Sequence, residues 1–281
     1  MVSGIREHAR ANVNQFFVHD NIRFCYQVIG KGPPVVFCHG LGGDLEAPKE
    51  LVGVPDNYQL IVWDSRGHGG TEPLGPIDAL TFASFAGDLA ALLGHLQIRE
   101  AVVGGISMGA GVAAQLALRH VVHIWGLVLV RPASLEQPLP KNLALFPRIA
   151  KLLGDLGSES GLVEFLRFPE VAAMKRVSPG AVDSLIEQFR KPQAVERRAR
   201  LDRIPRDRPI VSWEPIEQLD IPALVVGTGH DPLHPLDMAA TWARHLAKGR
   251  LANIPSKYES PEQHVRQFRR HLNSFLKSVI P

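Results

Sequence analysis

Short apolar, β-branched runs alternate along this chain with longer stretches whose apolar residues recur at helical spacing. Val35-Val36-Phe37, Leu60-Ile61-Val62-Trp63, Ala101-Val102-Val103, Leu127-Val128-Leu129-Val130 and Leu224-Val225-Val226 carry no charge and read as strands buried on both faces. Between them, Phe82, Phe85, Leu89, Leu92, Leu93 and Leu96 make one helical stripe, and Met108 to His120 reads as a second, Ala-rich helix. This alternation predicts an α/β fold on a mostly parallel sheet flanked by helices. Residues 13–19 and 22–29 flank Asp20-Asn21, a turn pair that predicts a hairpin ahead of the parallel units.

The alternation stops after Arg131-Pro132 and resumes near Ile221. The intervening stretch has helical patterns punctuated by prolines and no strand pattern. It predicts a helical cap over residues 133–215, inserted into a core made of 1–132 and 216–281. Within it, Ser178-Pro179 supplies an N-cap and a first-turn proline for a helix carrying Val182, Leu185, Ile186 and Phe189. The basic run Arg197, Arg198, Arg200, Arg203, Arg206 and Arg208 reads as a solvated helix face.

Composition narrows the class without choosing a chemistry. At 281 residues, with 45% hydrophobic and 21% charged residues, the chain can bury a sizeable core and is neither fibrous nor wholly disordered. A formal charge of +3 is too small to make nucleic acid or an acidic membrane the default partner. Cys25 and Cys38 offer neither a disulfide framework nor metal-ligand spacing, and both suit core positions. The start, Met1 to His8, lacks the apolar run of a secretory signal, and no stretch reaches the roughly 18 apolar residues of a membrane span. The expected location is cytoplasmic and the expected partner a small-molecule substrate, with a homodimer left open.

One motif carries chemistry. Gly105-Ile106-Ser107-Met108-Gly109 lies between the strand at 101–103 and the Ala-rich helix. At such a junction the glycines permit a tight elbow that would hold Ser107 Oγ above the sheet edge, where it needs a nearby base to act as a nucleophile. The overlapping Gly109-Ala110-Gly111-Val112-Ala113-Ala114 fits a loose dinucleotide fingerprint. The acid such a site wants about 20 residues on is missing, because Val130-Arg131-Pro132-Ala133 stands there. Close packing of the helix on the sheet explains these small residues better than a cofactor does.

Several motifs in order give the chain a resemblance to the α/β-hydrolase-fold family, covering nearly all of it except the cap. His39-Gly40-Leu41-Gly42-Gly43-Asp44 follows the strand at 35–37, where that family places its oxyanion loop. The resemblance implies that the backbone N–H groups of Leu41 and Met108 face the developing oxyanion. Asp64-Ser65-Arg66-Gly67-His68-Gly69 is similar to a family stretch whose role is mostly structural, so His68 is expected to be structural. The family order of serine, acid, histidine implies Asp231, just after the strand at 224–226, as the acid.

For the base, the family's Gly-His pair after the last strand is replaced here by Pro255-Ser256-Lys257-Tyr258, and the next histidine is His264. Ser260-Pro261-Glu262-Gln263 reads as N-cap, first-turn proline and capping-box glutamine, putting His264 in the first turn of the last helix. There the helix dipole favours a neutral imidazole. His230 and His234, in the acid loop, and His271, deeper in the helix, are weaker rivals.

The expected reading is therefore a Ser107-His264-Asp231 triad, without metal or cofactor, hydrolysing an ester or a lactone. Leu143, Phe146, Phe165 and Phe168 are expected to line an apolar pocket under the cap. The serine disfavours relatives with an aspartate nucleophile. Carbon–carbon bond hydrolases, cofactor-free haloperoxidases and aminopeptidases of this fold stay open. So does the non-enzyme alternative, a ligand-binding receptor with little turnover.

Overall fold

The computed structural model describes residues 13–53 and 57–281; the reading of Met1 to His8 lies outside them. The predicted hairpin is present as β1 (Gln15–His19) and β2 (Ile22–Gly30), antiparallel, with His19 paired to Ile22. Asp20 and Asn21 both take positive φ, 49° and 58°, as a two-residue type I′ turn requires.

The remaining strands are β3 (Pro34–Cys38), β4 (Gln59–Trp63), β5 (Glu100–Ile106), β6 (His123–Val130), β7 (Pro222–Thr228) and β8 (Lys248–Ile254). They form one eight-stranded sheet in the order β1-β2-β4-β3-β5-β6-β7-β8. Every pairing from β4 to β8 is parallel, and only β2 runs against the rest. The chain moves outward from β3 to β4, then crosses back over β3 to reach β5. That reversal creates the crevice at the strand carboxyl ends where open α/β sheets bind ligands.

Neighbouring residues on a strand serve opposite faces. Val36, Cys38, Ile61 and Trp63 pack into one core layer, and Val35, Phe37, Leu60 and Val62 into the other. Both layers are buried because helices cover both faces. On the first face lie α2 (Phe82–His95), α3 (Met108–Ala117) and α9 (Leu236–His245); on the second lie α1 (Glu46–Val52) and α10 (Pro261–Val279). Each of Phe268, Leu272, Phe275 and Leu276 on α10 is buried against the second face. The cysteines are core residues: both are fully buried, and Cys38 Sγ accepts the Trp63 indole N–H at 3.3 Å.

Between β6 and β7 the described residues are helical and contain no strand: α4 (Leu145–Phe165), broken at Gly157, then α5 (Pro169–Val177), α6 (Pro179–Arg190), α7 (Ala199–Arg206) and the single turn α8 (Glu214–Glu217). Ile149, Leu153, Phe165, Val182, Leu185, Phe189 and Leu201 give them an apolar cluster of their own.

Two local expectations are corrected. The arginine run is not one solvated face. Arg203 pairs with Asp78, and Arg206 with Asp202 at 2.8 Å, both near the surface. Arg197 and Arg200, one turn apart, point inward and are 9% and 3% exposed. Arg197 donates to the carbonyls of Gly69 (2.8 Å) and Thr71 (3.3 Å), and Arg200 to that of Gly67 (2.8 Å). Charge composition suggested solvent, whereas a loop of outward-facing carbonyls at 67–71 takes these two donors instead. Secondly, Ser178 and Ser260 stand at N-cap positions before Pro179 and Pro261, but neither side chain caps its helix. Their backbone carbonyls accept the first-turn N–H groups, as from His264 to Ser260 at 2.9 Å, so the box with Gln263 does not close.

Among the described residues no helix is long and apolar enough to cross a membrane.

Candidate active site

Ser107 ends β5 and starts α3 with φ 56° and ψ −109°, a conformation that costs about 1–3 kcal/mol outside glycine and persists only where the surroundings enforce it. The enforcement is backbone packing. Ser107 N–H is fixed to the Val130 carbonyl at 2.9 Å. A Cβ on Gly109 would lie 2.5 Å from the Cys38 carbonyl oxygen and 2.7 Å from that of His39, so only glycine lets α3 approach β3 this closely. At Gly111 the close neighbours are instead the side chains of Phe82 and Pro209.

The loop after β3 bends beside the elbow. His39 Nδ1–H donates to the Gly40 carbonyl at 2.8 Å, which leaves Nε2 to accept the Ser65 N–H at 3.0 Å. Among the described residues no hydrogen bond takes up the N–H of Leu41 or of Met108, and both residues line the cavity that Ser107 faces. His68 is buried, its Nδ1–H donating to the Arg66 carbonyl at 3.0 Å. Asp64 accepts the N–H groups of Leu45 and Gly70, each at 2.7 Å, and Arg66 forks onto Asp88 at 2.7 and 2.6 Å. The 64–71 loop is thus braced by its own groups and by Leu45 and Asp88, and His68 is not among the residues lining the cavity.

Asp231 follows β7 and is buried, but its partners are not those expected. Its Oδ1 accepts the backbone N–H groups of Leu233 and His234 at 3.1 Å. The His234 ring Nδ1–H reaches both carboxylate oxygens, at 3.1 and 3.0 Å, and Arg131 Nη1 reaches Oδ2 at 3.3 Å. Against the cost of burial, His234 and Arg131 hold the carboxyl well below the ordinary carboxylate range.

His264 does not bond Asp231. Its Nδ1–H donates to the Pro255 carbonyl at 2.8 Å, which leaves Nε2 as the acceptor. Burial first, then the Arg131 charge, pushes its pKa down to about 4, so the ring is neutral at pH 7. Burial likewise lowers the pKa of His234. Ser107, His234 and His264 line one cavity of ≈ 490 Å³, and among the described residues no hydrogen bond joins either ring to Ser107 Oγ. His230 is turned outward, with Nδ1 2.8 Å from Glu259 Oε1.

Leu143 and Phe146 line the cavity; Phe165 and Phe168 do not. Phe165 is consumed by the helical cluster, 5.8 Å from the Phe168 ring and 5.4 Å from that of Phe189, and Arg148 covers the face of Phe168. Sequence reasoning missed Arg131, Lys257 and Tyr258, which line the polar end. Arg131 directly follows β6 at the same sheet edge as Ser107, and Lys257 stands in the loop after β8, so strand-end position was the signal available.

One group of donors outside the cavity, His19, Asp20 and Asp88, lies within 4.8 Å of one another. Arg66 already spans it, 3.6 Å from Asp20 and 2.6 Å from Asp88, so a guanidinium supplies the cation there.

Residues 33–261 match the family described as the alpha/beta hydrolase fold. A dihydrolipoyllysine-residue acetyltransferase component of an acetoin cleaving system from Cupriavidus necator is 38% identical over 130 residues, 46% of this chain and 34% of that protein. The chain thus spans about a third of that relative. A 3-oxoadipate enol-lactonase 2 from Acinetobacter baylyi is 25% identical over 262 residues, 87% of this chain and 89% of that protein. Among solved structures, an enol-lactonase from Burkholderia xenovorans superposes with a TM-score of 0.73 at 22% identity, covering 94% of this chain and 100% of that one, a likeness of fold.

Proposed function

Since the chain belongs to the alpha/beta hydrolase fold family, we propose that it is a serine hydrolase that opens an ester or lactone through an acyl-enzyme on Ser107. The observation that carries this reading is the strained Ser107 elbow, facing a cavity shared with neutral imidazoles and with the unbonded N–H groups of Leu41 and Met108. The lengthwise match to an enol-lactonase supports the lactone side of it.

His264 Nε2 takes the Ser107 proton as Oγ attacks the carbonyl carbon. The tetrahedral oxyanion rests on the N–H groups of Leu41 and Met108, donors typically worth about 2.7–4 kcal/mol of barrier each. Collapse expels the alkoxide, which takes the proton back from His264, and water then repeats the attack to free the acid. The Pro255 carbonyl, rather than Asp231, fixes the tautomer of His264. The helices at 133–215 act as the cap, with Leu143 and Phe146 against the apolar part of the substrate.

A second reading makes His234 the base, favoured by its 3.0 Å bond to Asp231, the relation a triad requires. A fluorophosphonate probe separates the outcomes. Labelling of the wild type that vanishes in Ser107→Ala is expected; an unlabelled wild type overturns the nucleophile. His264→Ala is expected to slow acylation by about 10³-fold or more. Loss in His234→Ala alone transfers the role to that ring.

A further inference from the structure

The polar end of the cavity holds more positive charge than its own carboxylate can satisfy. Arg131 is only 6% exposed, yet its Nε–H has no hydrogen-bond partner. Its Nη1 makes a 3.3 Å contact with Asp231 Oδ2. Asp231 is already saturated: Oδ1 takes two backbone N–H groups, and the His234 ring reaches both oxygens. Lys257 faces the same space with no ion pair among the described residues; its Nζ sits 4.8 Å from the centroid of the Tyr258 ring. Tyr258 Oη is buried beside Arg131 and Ser184, with neither of them in good hydrogen-bond geometry. Two cations in one wall therefore share a single carboxylate, with Arg131 Nε–H left over, and an undercompensated buried cation is costly enough that such an arrangement implies a ligand that completes it.

We propose that Arg131, Lys257 and Tyr258 form a carboxylate subsite, so that the substrate opened at Ser107 is an acyl compound bearing a second, free carboxylate. This rests on the hydrolase reading and adds the substrate class. A planar carboxylate suits the guanidinium fork, and its single charge matches the one cation left over once Asp231 is set against Arg131. Burial and then the Arg131 charge push the Lys257 pKa down to about 8, outweighing the opposing pull of Asp231, which Arg131 and His234 already share. Leu143 and Phe146, which line the same cavity, leave the linking chain of the substrate in apolar surroundings.

The test is equilibrium binding to the full chain carrying Ser107→Ala, measured by calorimetry with glutarate and with its neutral diamide, glutaramide. Glutarate is expected to bind at least tenfold tighter, and that preference to fall about tenfold when Lys257→Met is added and to be kept by Lys257→Arg. Equal binding of the two probes, or a preference that survives Lys257→Met with the melting profile intact, overturns the subsite. Because this readout needs no turnover, it separates from the hydrolase reading. A labelled serine without glutarate preference ends the subsite alone, and glutarate preference on an unlabelled wild type ends the hydrolase reading alone.

Discussion

At the scale of single residues, the elbow concentrates the constraint. Gly109→Ala places a methyl group against two rigid backbone carbonyls, so the helix start must move. The expected result is a loss of about 1–3 kcal/mol in denaturant unfolding, with slower fluorophosphonate labelling because Ser107 shifts with it. On the proposed reading, His264 as the base sets the acid limb of activity. With its pKa pushed down to about 4, the base stays unprotonated well below neutrality. The kcat/KM of an uncharged ester should hold as pH falls from 7 towards 5 and drop near 4; a fall centred near 6.5 would point to an exposed imidazole instead. Ser107 was legible because its signal is local, a glycine-serine-glycine spacing between two periodic segments. The partner of Asp231 was not, because three histidines lie within reach in sequence and only packing decides which ring meets the carboxylate. Arg131 and Lys257 were illegible for a related reason: lone basic residues in loops look solvated until the sheet brings both to one edge.

At the scale of elements, β-branched runs gave the parallel strands and Asp20-Asn21 the hairpin, since both patterns depend on near neighbours. The arginine run shows where that stops. Arg197 and Arg200 lie one turn apart and turn away from water, because carbonyls distant in sequence need donors. The two differ in balance. Arg197 makes two bonds, whereas Arg200 makes one, leaves Nε unbonded and has its pKa pushed down to about 10 by burial. Arg197→Met should therefore cost about 1–3 kcal/mol in urea unfolding, and Arg200→Met less, because the second substitution also removes a poorly compensated charge. The reverse order would mean that Arg200 carries the docking.

For the whole molecule, buried histidines set the response to acid. Burial lowers the pKa values of His39, His68, His234 and His264. The unfolded chain binds these protons at about 6.5 while the folded one resists them, so stability rises with pH across the window below that value and is lost as pH falls through it. The carboxyls of Asp64 and Asp88, which burial raises, oppose this only near and above their ordinary range, and Asp231 adds to the loss further down. The melting temperature should be level above pH 7 and several degrees lower at pH 5; a flat profile between those values would show that the rings protonate without unfolding. The elbow and the acid loop belong to the sheet, whereas Leu143 and Phe146 belong to the excursion between β6 and β7. On the proposed reading, the bond broken and the charged end of the substrate are thus written around the sheet, and its apolar part in a separate stretch of polypeptide. Recombination could exchange the second without touching the first, provided the incoming piece brings two cations to meet the oxygens of residues 67, 69 and 71.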